Sequence, residues 1–213
     1  MSKSQDRKNI VQSIIRAANL YKQHLVGKRF LYAFDGRYIE VIYKASNFQH
    51  LTGVDTKLSA KDFYRLACNK KLQTSQISFS PQHPYNLCVK KVKHIEDIAT
   101  LAGSENFMLE EITTQTQTYK FGTTDLHFSL CMNKELDENG TEKGDCFVVQ
   151  SLRDEDCFSK SKEAYVVTHI LSRPNDQKKY TDILYVDSNT NVLLPDNFGE
   201  LLSNNLKAKL NLK

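Results

Sequence analysis

Cysteine, proline and glycine are all sparse in this sequence of 213 residues, and it contains no long apolar run. The five cysteines, Cys68, Cys88, Cys131, Cys146 and Cys157, are odd in number and widely spaced, with no CxxC and no Cys/His pair at zinc-site intervals. That pattern supplies neither a disulfide framework nor a metal site, so reduced thiols and no bound metal are expected. Four prolines and eight glycines argue against a long linker or low-complexity tract, and one domain spanning 1–213 is expected. No stretch approaches the roughly 18 apolar residues that span a bilayer, and the opening MSKSQDRK is charged where a secretory signal turns apolar. A cytoplasmic protein without a membrane partner is the expectation. The HExxH, P-loop, GxGxxG and nucleophile-elbow motifs are missing too, which removes support for the enzyme classes they mark and leaves no cofactor implied.

What is present is an ordinary globular balance, 40% hydrophobic and 25% charged, with 29 basic against 25 acidic residues. The small positive excess makes nucleic acid a reasonable partner without establishing one. Along the chain, residues 8–26 carry Ile10, Val11, Ile14, Ala17, Ala18, Tyr21, Leu25 and Val26 at spacings of three and four, which predicts an amphipathic helix. Two β-rich runs then flank Asp35-Gly36, a pair suited to a tight hairpin turn. Ser59 with Asp62 three residues on predicts a helix start. Residues 84–102, with Val89, Val92, Ile95, Ile98 and Leu101 in a stripe, predict another helix, around which Lys90, Lys91, Lys93 and His94 lie. These lysines read by default as a solvated face and alternatively as phosphate contacts.

From residue 107 the pattern changes to short β-rich runs at 107–112, 117–122, 125–132, 145–152, 164–172 and 180–187. The polar segment 133–144 reads as an exposed hairpin loop, and 198–211 as a terminal helix. Helices grouped in front of strands predict an α+β fold, with N-terminal helices packed on a mainly antiparallel sheet.

One segment stands out chemically: Asn47-Phe48-Gln49-His50-Leu51-Thr52-Gly53-Val54, directly after the second strand. A single imidazole is more often a structural hydrogen bonder than a catalyst. Yet NFQHLTGV, preceded by IEVIYK and followed by LSAKDFYRLACNKKL, resembles the opening block of a phage- and mobile-element-associated nuclease-like family of the barnase, EndoU, colicin and RelE type. Phe48, His50, Leu51, Thr52, Gly53, Phe63 and Tyr64 carry that resemblance. VVQSLRDEDC with the strands that follow is similar to the family's second block, where Ser151 and Arg153 match. The similarity covers about residues 38–187 and implies an RNase-like sheet and an RNA substrate in a bacterial host cell.

A metal-free ribonuclease of this type needs a base for the ribose 2′-hydroxyl, an acid for the leaving oxygen and a cation for the phosphate. The resemblance makes His50 the first acid/base candidate, Thr52 its orienting or phosphate-binding partner, Ser151 a phosphate-binding hydroxyl and Arg153 the cationic clamp. His127 and His169, both on predicted strands, are alternatives for the second acid/base group, although half-buried strand histidines are commonly structural. Tyr119, Lys120 and Thr123 read either as a backbone-binding strand surface or as ordinary solvated positions. Three functions stay open at this level: an endoribonuclease acting on a structured or CRISPR guide RNA, a non-catalytic anti-CRISPR inhibitor or RNA-binding module on the same fold, and a toxin directed at tRNA or ribosomes.

Overall fold

The computed structural model describes residues 3–188 and 194–210. The front half carries α1 (Lys3–His24), β1 (Lys28–Phe34), β2 (Arg37–Ile42), α2 (Phe48–Thr52), α3 (Ala60–Cys68), α4 (Tyr85–His94) and α5 (Ile98–Leu101). The back half carries β3 (Phe107–Thr113), β4 (Thr118–Thr124), β5 (Ser129–Leu136), β6 (Glu142–Arg153), β7 (Glu163–Val166), β8 (His169–Pro174), β9 (Asp182–Val186) and α6 (Asn204–Lys209). The strands form one sheet in the order β7-β3-β4-β5-β6-β2-β1-β8-β9. Every neighbouring pair is antiparallel except β2 with β6, which run parallel. The fold is therefore α+β, with helices packed on a mostly antiparallel sheet.

Local chemistry explains the elements. The stripe of α1 is buried along its length through Ile10, Ile14, Ala18, Tyr21 and Leu25, the outcome that a three-to-four spacing dictates. Asp35 and Gly36 both take positive φ, 47° and 66°, the conformation that joins β1 to β2 without splaying them. The Ser59 hydroxyl accepts the Asp62 N–H at 3.1 Å and so satisfies one of the unpaired donors at the start of α3.

The sheet is rolled. Phe34 of β1 lies 5.5 Å from Tyr165 of β7 and 5.9 Å from Phe121 of β4, ring centre to ring centre, and Arg37 pairs with Glu110 of β3 at 2.6 Å. Strands far apart in the hydrogen-bonded order thus face one another. Helices α1 to α5 fill the face that carries Phe30, Val41, Met132 and Val149, with Ile14, Phe48, Phe63 and Ile98 in the same core. On the reverse face, Leu31 and Leu171 are covered by Tyr180, Phe198, Leu202 and Leu206.

Several sequence boundaries shift, each for a physical reason. The expected helix at 84–102 is two helices, since the chain turns at Ile95–Asp97 before α5 begins. The run 164–172 is two strands, because Val167 and Thr168 bond to Asn106 O and Ala33 O where the chain passes from one end of the sheet to the other. The loop expected at 133–144 shrinks to 137–141, since β5 and β6 continue their pairing out to Leu136 and Glu142. The terminal helix starts as a 3₁₀ turn at Phe198–Leu201 and resumes at α6, where Ser203 caps. Its expected end at 211 lies outside the described residues. All five cysteines are unpaired.

Ile14 is fully buried between α1 and the sheet. Ile14→Ala is expected to cost about 2–5 kcal/mol, read from the denaturant midpoint; a loss under roughly 1 kcal/mol would contradict the seating of α1 in this core.

Candidate active site

The chain leaves β2, makes a 3₁₀ turn at Ala45–Asn47 and enters α2, whose five residues are the chemically conspicuous segment. Phe48 and Leu51 are fully buried and turn this helix onto the core. Phe48 packs 5.2 Å from Tyr21 and 5.3 Å from Tyr64, so Phe48 and Tyr64, two of the aromatics that carry the family resemblance, are packing partners. His50 points the other way and is exposed. Asn47 Nδ2 donates to Val149 O at 3.1 Å, fastening the start of α2 to β6 about a hundred residues later.

That latch brings the two distant segments to one cavity of about 430 Å³, lined by His50, Gln82, His83, Leu87, Lys91, Thr116, Gln117, Tyr119, Gln150, Ser151 and Arg153. Three of the expected catalytic residues, His50, Ser151 and Arg153, meet there, with Lys91 and Tyr119 of the expected RNA-binding set. No side-chain hydrogen bond is made by the His50 ring among the described residues, which leaves both nitrogens open. Partial desolvation of the ring at the cavity wall, then the charges of Lys91 and His83, hold its pKa below the usual imidazole value, so the neutral ring is favoured.

Lys91 is buried, and its Nζ donates to the His50 carbonyl at 3.1 Å. Burial first, then the repulsion of Arg153, pushes its ammonium down to about 8. Arg153 lies 5.8 Å over the Tyr119 ring and donates at long range, 3.5 Å, to the Tyr119 hydroxyl and, at 3.4 Å, to Thr114 Oγ1. Its Nε is buried with no partner. Among the described residues neither cation forms an ion pair. The acids that follow Arg153 are engaged elsewhere: Asp154 accepts from His94 at 2.7 Å with Lys90 3.8 Å away, and Glu155 pairs with Lys160 at 2.5 Å. The cavity is thus lined by cationic and neutral groups and by no carboxylate, a setting that attracts an anion of phosphate type.

His83 is the site residue that sequence reasoning missed. Its Nδ1 bonds to Asp55 Oδ1 at 2.6 Å, and its backbone N–H bonds to Ser80 Oγ at 3.2 Å. A ring held through Nδ1 keeps Nε2 for the cavity. The Ser80 hydroxyl, then His83, hold the Asp55 carboxyl below its usual range against the burial that raises it. A 28-residue gap between Asp55 and His83 offers no local signal, although Asp55 and Ser78 do form an isolated bridge.

Other expectations need correcting. Thr52 is fully buried and does not line the cavity; its hydroxyl donates to Gln49 O at 2.6 Å and accepts the Val54 N–H at 3.3 Å. It closes α2. His127 lies in the β4–β5 turn, not on a strand, and borders a separate cavity of about 440 Å³ with Lys93 and His94. His169 is on β8 as expected, but it is buried, bonds to Thr168 Oγ1 at 3.1 Å and packs edge-on against Phe198. Neither histidine reaches the His50 cavity. Lys90 stays outside on Asp154, Lys93 serves the other cavity, and Lys120 pairs with Glu110 and Glu111 at 3.2 Å each. Thr123 is buried, with its hydroxyl unbonded.

The helices and rolled sheet thus gather imidazole, hydroxyl and cationic groups into one cavity whose lining holds no carboxylate. The comparison with known families gives the assignment: a model described as phage-Barnase-EndoU-ColicinE5/D-RelE like nuclease matches residues 13–189, and the chain belongs to that family. The match reaches into α1 and so extends further than the 38–187 span read from the motifs. Nucleic acid is accordingly the expected substrate class. No curated protein and no solved structure matches the chain.

Gly53 follows Thr52 at φ 71°, and a Cβ there would meet Lys91 Cδ at 2.9 Å. Gly53→Ala is therefore expected to destabilise the fold by about 1 kcal/mol or more and to displace Lys91. A variant with unchanged stability and an unchanged Lys91 titration, followed by NMR, would contradict the close approach.

Proposed function

We propose that the protein is a metal-independent endoribonuclease whose site is the cavity between α2, α4 and β6. The observation that carries this reading is the lining itself: two imidazoles, an ammonium and a guanidinium around a cavity of about 430 Å³ with no carboxylate. Neutral His50 takes the proton from a ribose 2′-hydroxyl, and the oxygen so freed attacks the adjacent phosphorus. The bond from phosphorus to the 5′ oxygen breaks, and His83, protonated at Nε2 and oriented by Asp55, returns a proton to that leaving oxygen. The products are a 2′,3′-cyclic phosphate and a 5′-hydroxyl. Lys91 and Arg153 balance the charge that builds on the phosphate oxygens, with the Ser151 hydroxyl as a further donor. Tyr119 orients Arg153 through its hydroxyl and ring.

The test is incubation of the pure protein with a structured RNA and with a CRISPR guide RNA, with and without chelator, resolved on a gel. Cleavage that survives chelator and yields cyclic phosphate ends is expected. His50→Ala and His83→Ala should each lower the rate by about 10² to 10⁴ with the fold retained by circular dichroism. Binding without any product would favour the non-catalytic reading, an RNA-binding module or anti-CRISPR inhibitor on the same fold.

The pH profile follows from the two shifted groups. With its pKa below the usual imidazole value, His50 remains neutral through pH 7, so activity should fall only as acid protonates it. On the alkaline side Lys91 loses its charge above about pH 8, and activity should fall with it. Lys91→Arg keeps a charge and should remove the fall centred near pH 8, leaving on the alkaline side only the loss of the proton that the general acid donates. An alkaline profile unchanged from wild type in that variant would remove Lys91 from its assigned role.

A further inference from the structure

A second and larger cavity, about 610 Å³, adjoins the first on the surface of β4, β5 and β6. Gln117 and Gln150 line both. Gln150 is where it is because the β5–β6 register slips between Cys131 and Met132, pairing Cys131 with Ser151 but Met132 with Val149. The extra residue is a bulge, a device that re-aims a side chain out of the ladder, and here it stands between the two spaces.

The second cavity differs from the first in kind. Its floor is apolar: Phe147 is half-buried, standing edge-on to Phe121 at 4.9 Å, and Leu136 beside it is 59% exposed. Its cations are already balanced, Lys134 by Glu142 at 2.6 Å and Lys120 by Glu110 and Glu111, and the Lys134 ammonium stands 5.8 Å from the centre of the Phe147 ring, where a base would take its place. A phosphate therefore gains little there. The Asn133 amide is engaged with the backbone of Lys120 and Thr118. Gln117 and Gln150 share one long bond of 3.4 Å between their amides. Whichever way that bond runs, it leaves one donor group and one acceptor of the pair unspent at the junction.

We propose that this cavity is the subsite for an unpaired nucleobase of the RNA strand whose phosphate occupies the first cavity. The base lies against Phe147 and Leu136, with its polar edge toward Gln117 and Gln150. The inference rests on the nuclease reading for the identity of the strand. An aromatic floor with an amide pair suits a base, which offers a flat π-face and a polar edge. A base inside an A-form helix keeps its face stacked, so the subsite selects single-stranded or looped RNA.

The test uses a six-residue 2′-O-methyl oligoribonucleotide, which lacks the nucleophilic hydroxyl and cannot be cut, with 2-aminopurine at one position. Binding is followed by anisotropy, and stacking by quenching of the 2-aminopurine. Phe147→Tyr keeps the π-face and should bind within about twofold of wild type, while Phe147→Leu should weaken binding about tenfold and lose the quenching. Leu136→Asp, at an exposed position, provides the same comparison should Phe147→Leu not fold, with severalfold weaker binding expected. Equal affinity in the folded variants, or tighter binding of a blunt RNA duplex than of the single strand, overturns the proposal. Because the probe cannot be cleaved, the two readings fail separately. Phe147-dependent binding by a protein that cuts no RNA keeps the subsite and refutes the catalytic reading; RNA cleavage with Phe147-independent binding does the reverse.

Discussion

The Lys91 ammonium sits buried against the His50 carbonyl, with Arg153 close enough to depress its proton affinity and no carboxylate in the cavity to balance either charge. Burying an ion without a counter-charge is costly, and a second like charge beside it makes it more so. The surrounding structure holds them in place: Gly53 gives up a side chain to admit the Lys91 stem, Tyr119 cradles the guanidinium of Arg153, and His94 draws Asp154 away from it. Cations left without counter-charges weaken the fold and favour the approach of an anion. Sites that sacrifice stability in this way are common where function requires a pre-formed charge.

The cavity exists because of one topological exception. Among the described strands only β2 and β6 run parallel, and Val41 and Ile42 pair with Phe147 and Val148. Residues just beyond β2 therefore emerge beside residues near the end of β6, and Asn47 ties the two together through Val149 O. α4 then closes the space from the third side with Lys91, and the β3–β4 hairpin brings Thr116, Gln117 and Tyr119 from the fourth. Segments spread over a hundred residues, the loop with Gln82 and His83 ahead of α4 among them, thus contribute side chains to one space.

Much of the fold was legible in the sequence because the signals were local. The α1 stripe, the Asp35-Gly36 turn and the Ser59 cap each rest on spacing within a few residues, and each appears. The motif around His50 was legible as a unit, but its parts divide: His50 faces the cavity, while Phe48, Leu51, Thr52 and Gly53 are there for packing, capping and close approach. His127 was misplaced because Thr124 and Asp125 form a turn, with their side chains accepting the N–H groups of Leu126 and His127; turn chemistry of that sort overrides β-propensity. Lys91 looked like any solvated lysine beside Lys90 and Lys93, since which face of α4 is buried depends on α2 and β6. His83 and Asp55 could not be paired from sequence at all, because their contact depends on how two loops fold over α4.

Buried Lys91 and half-buried Arg153 lack ion-pair partners among the described residues, and the role proposed for both is to hold phosphate. The most direct measurement is the melting temperature of the wild-type protein and of Lys91→Met with increasing inorganic phosphate, at pH 7 and constant ionic strength. Removing the buried charge should make Lys91→Met the more stable of the two without phosphate, and phosphate should raise the melting temperature of the wild type well above any change in the variant. A Lys91→Met protein that is less stable than wild type and shows the same phosphate response would contradict the account.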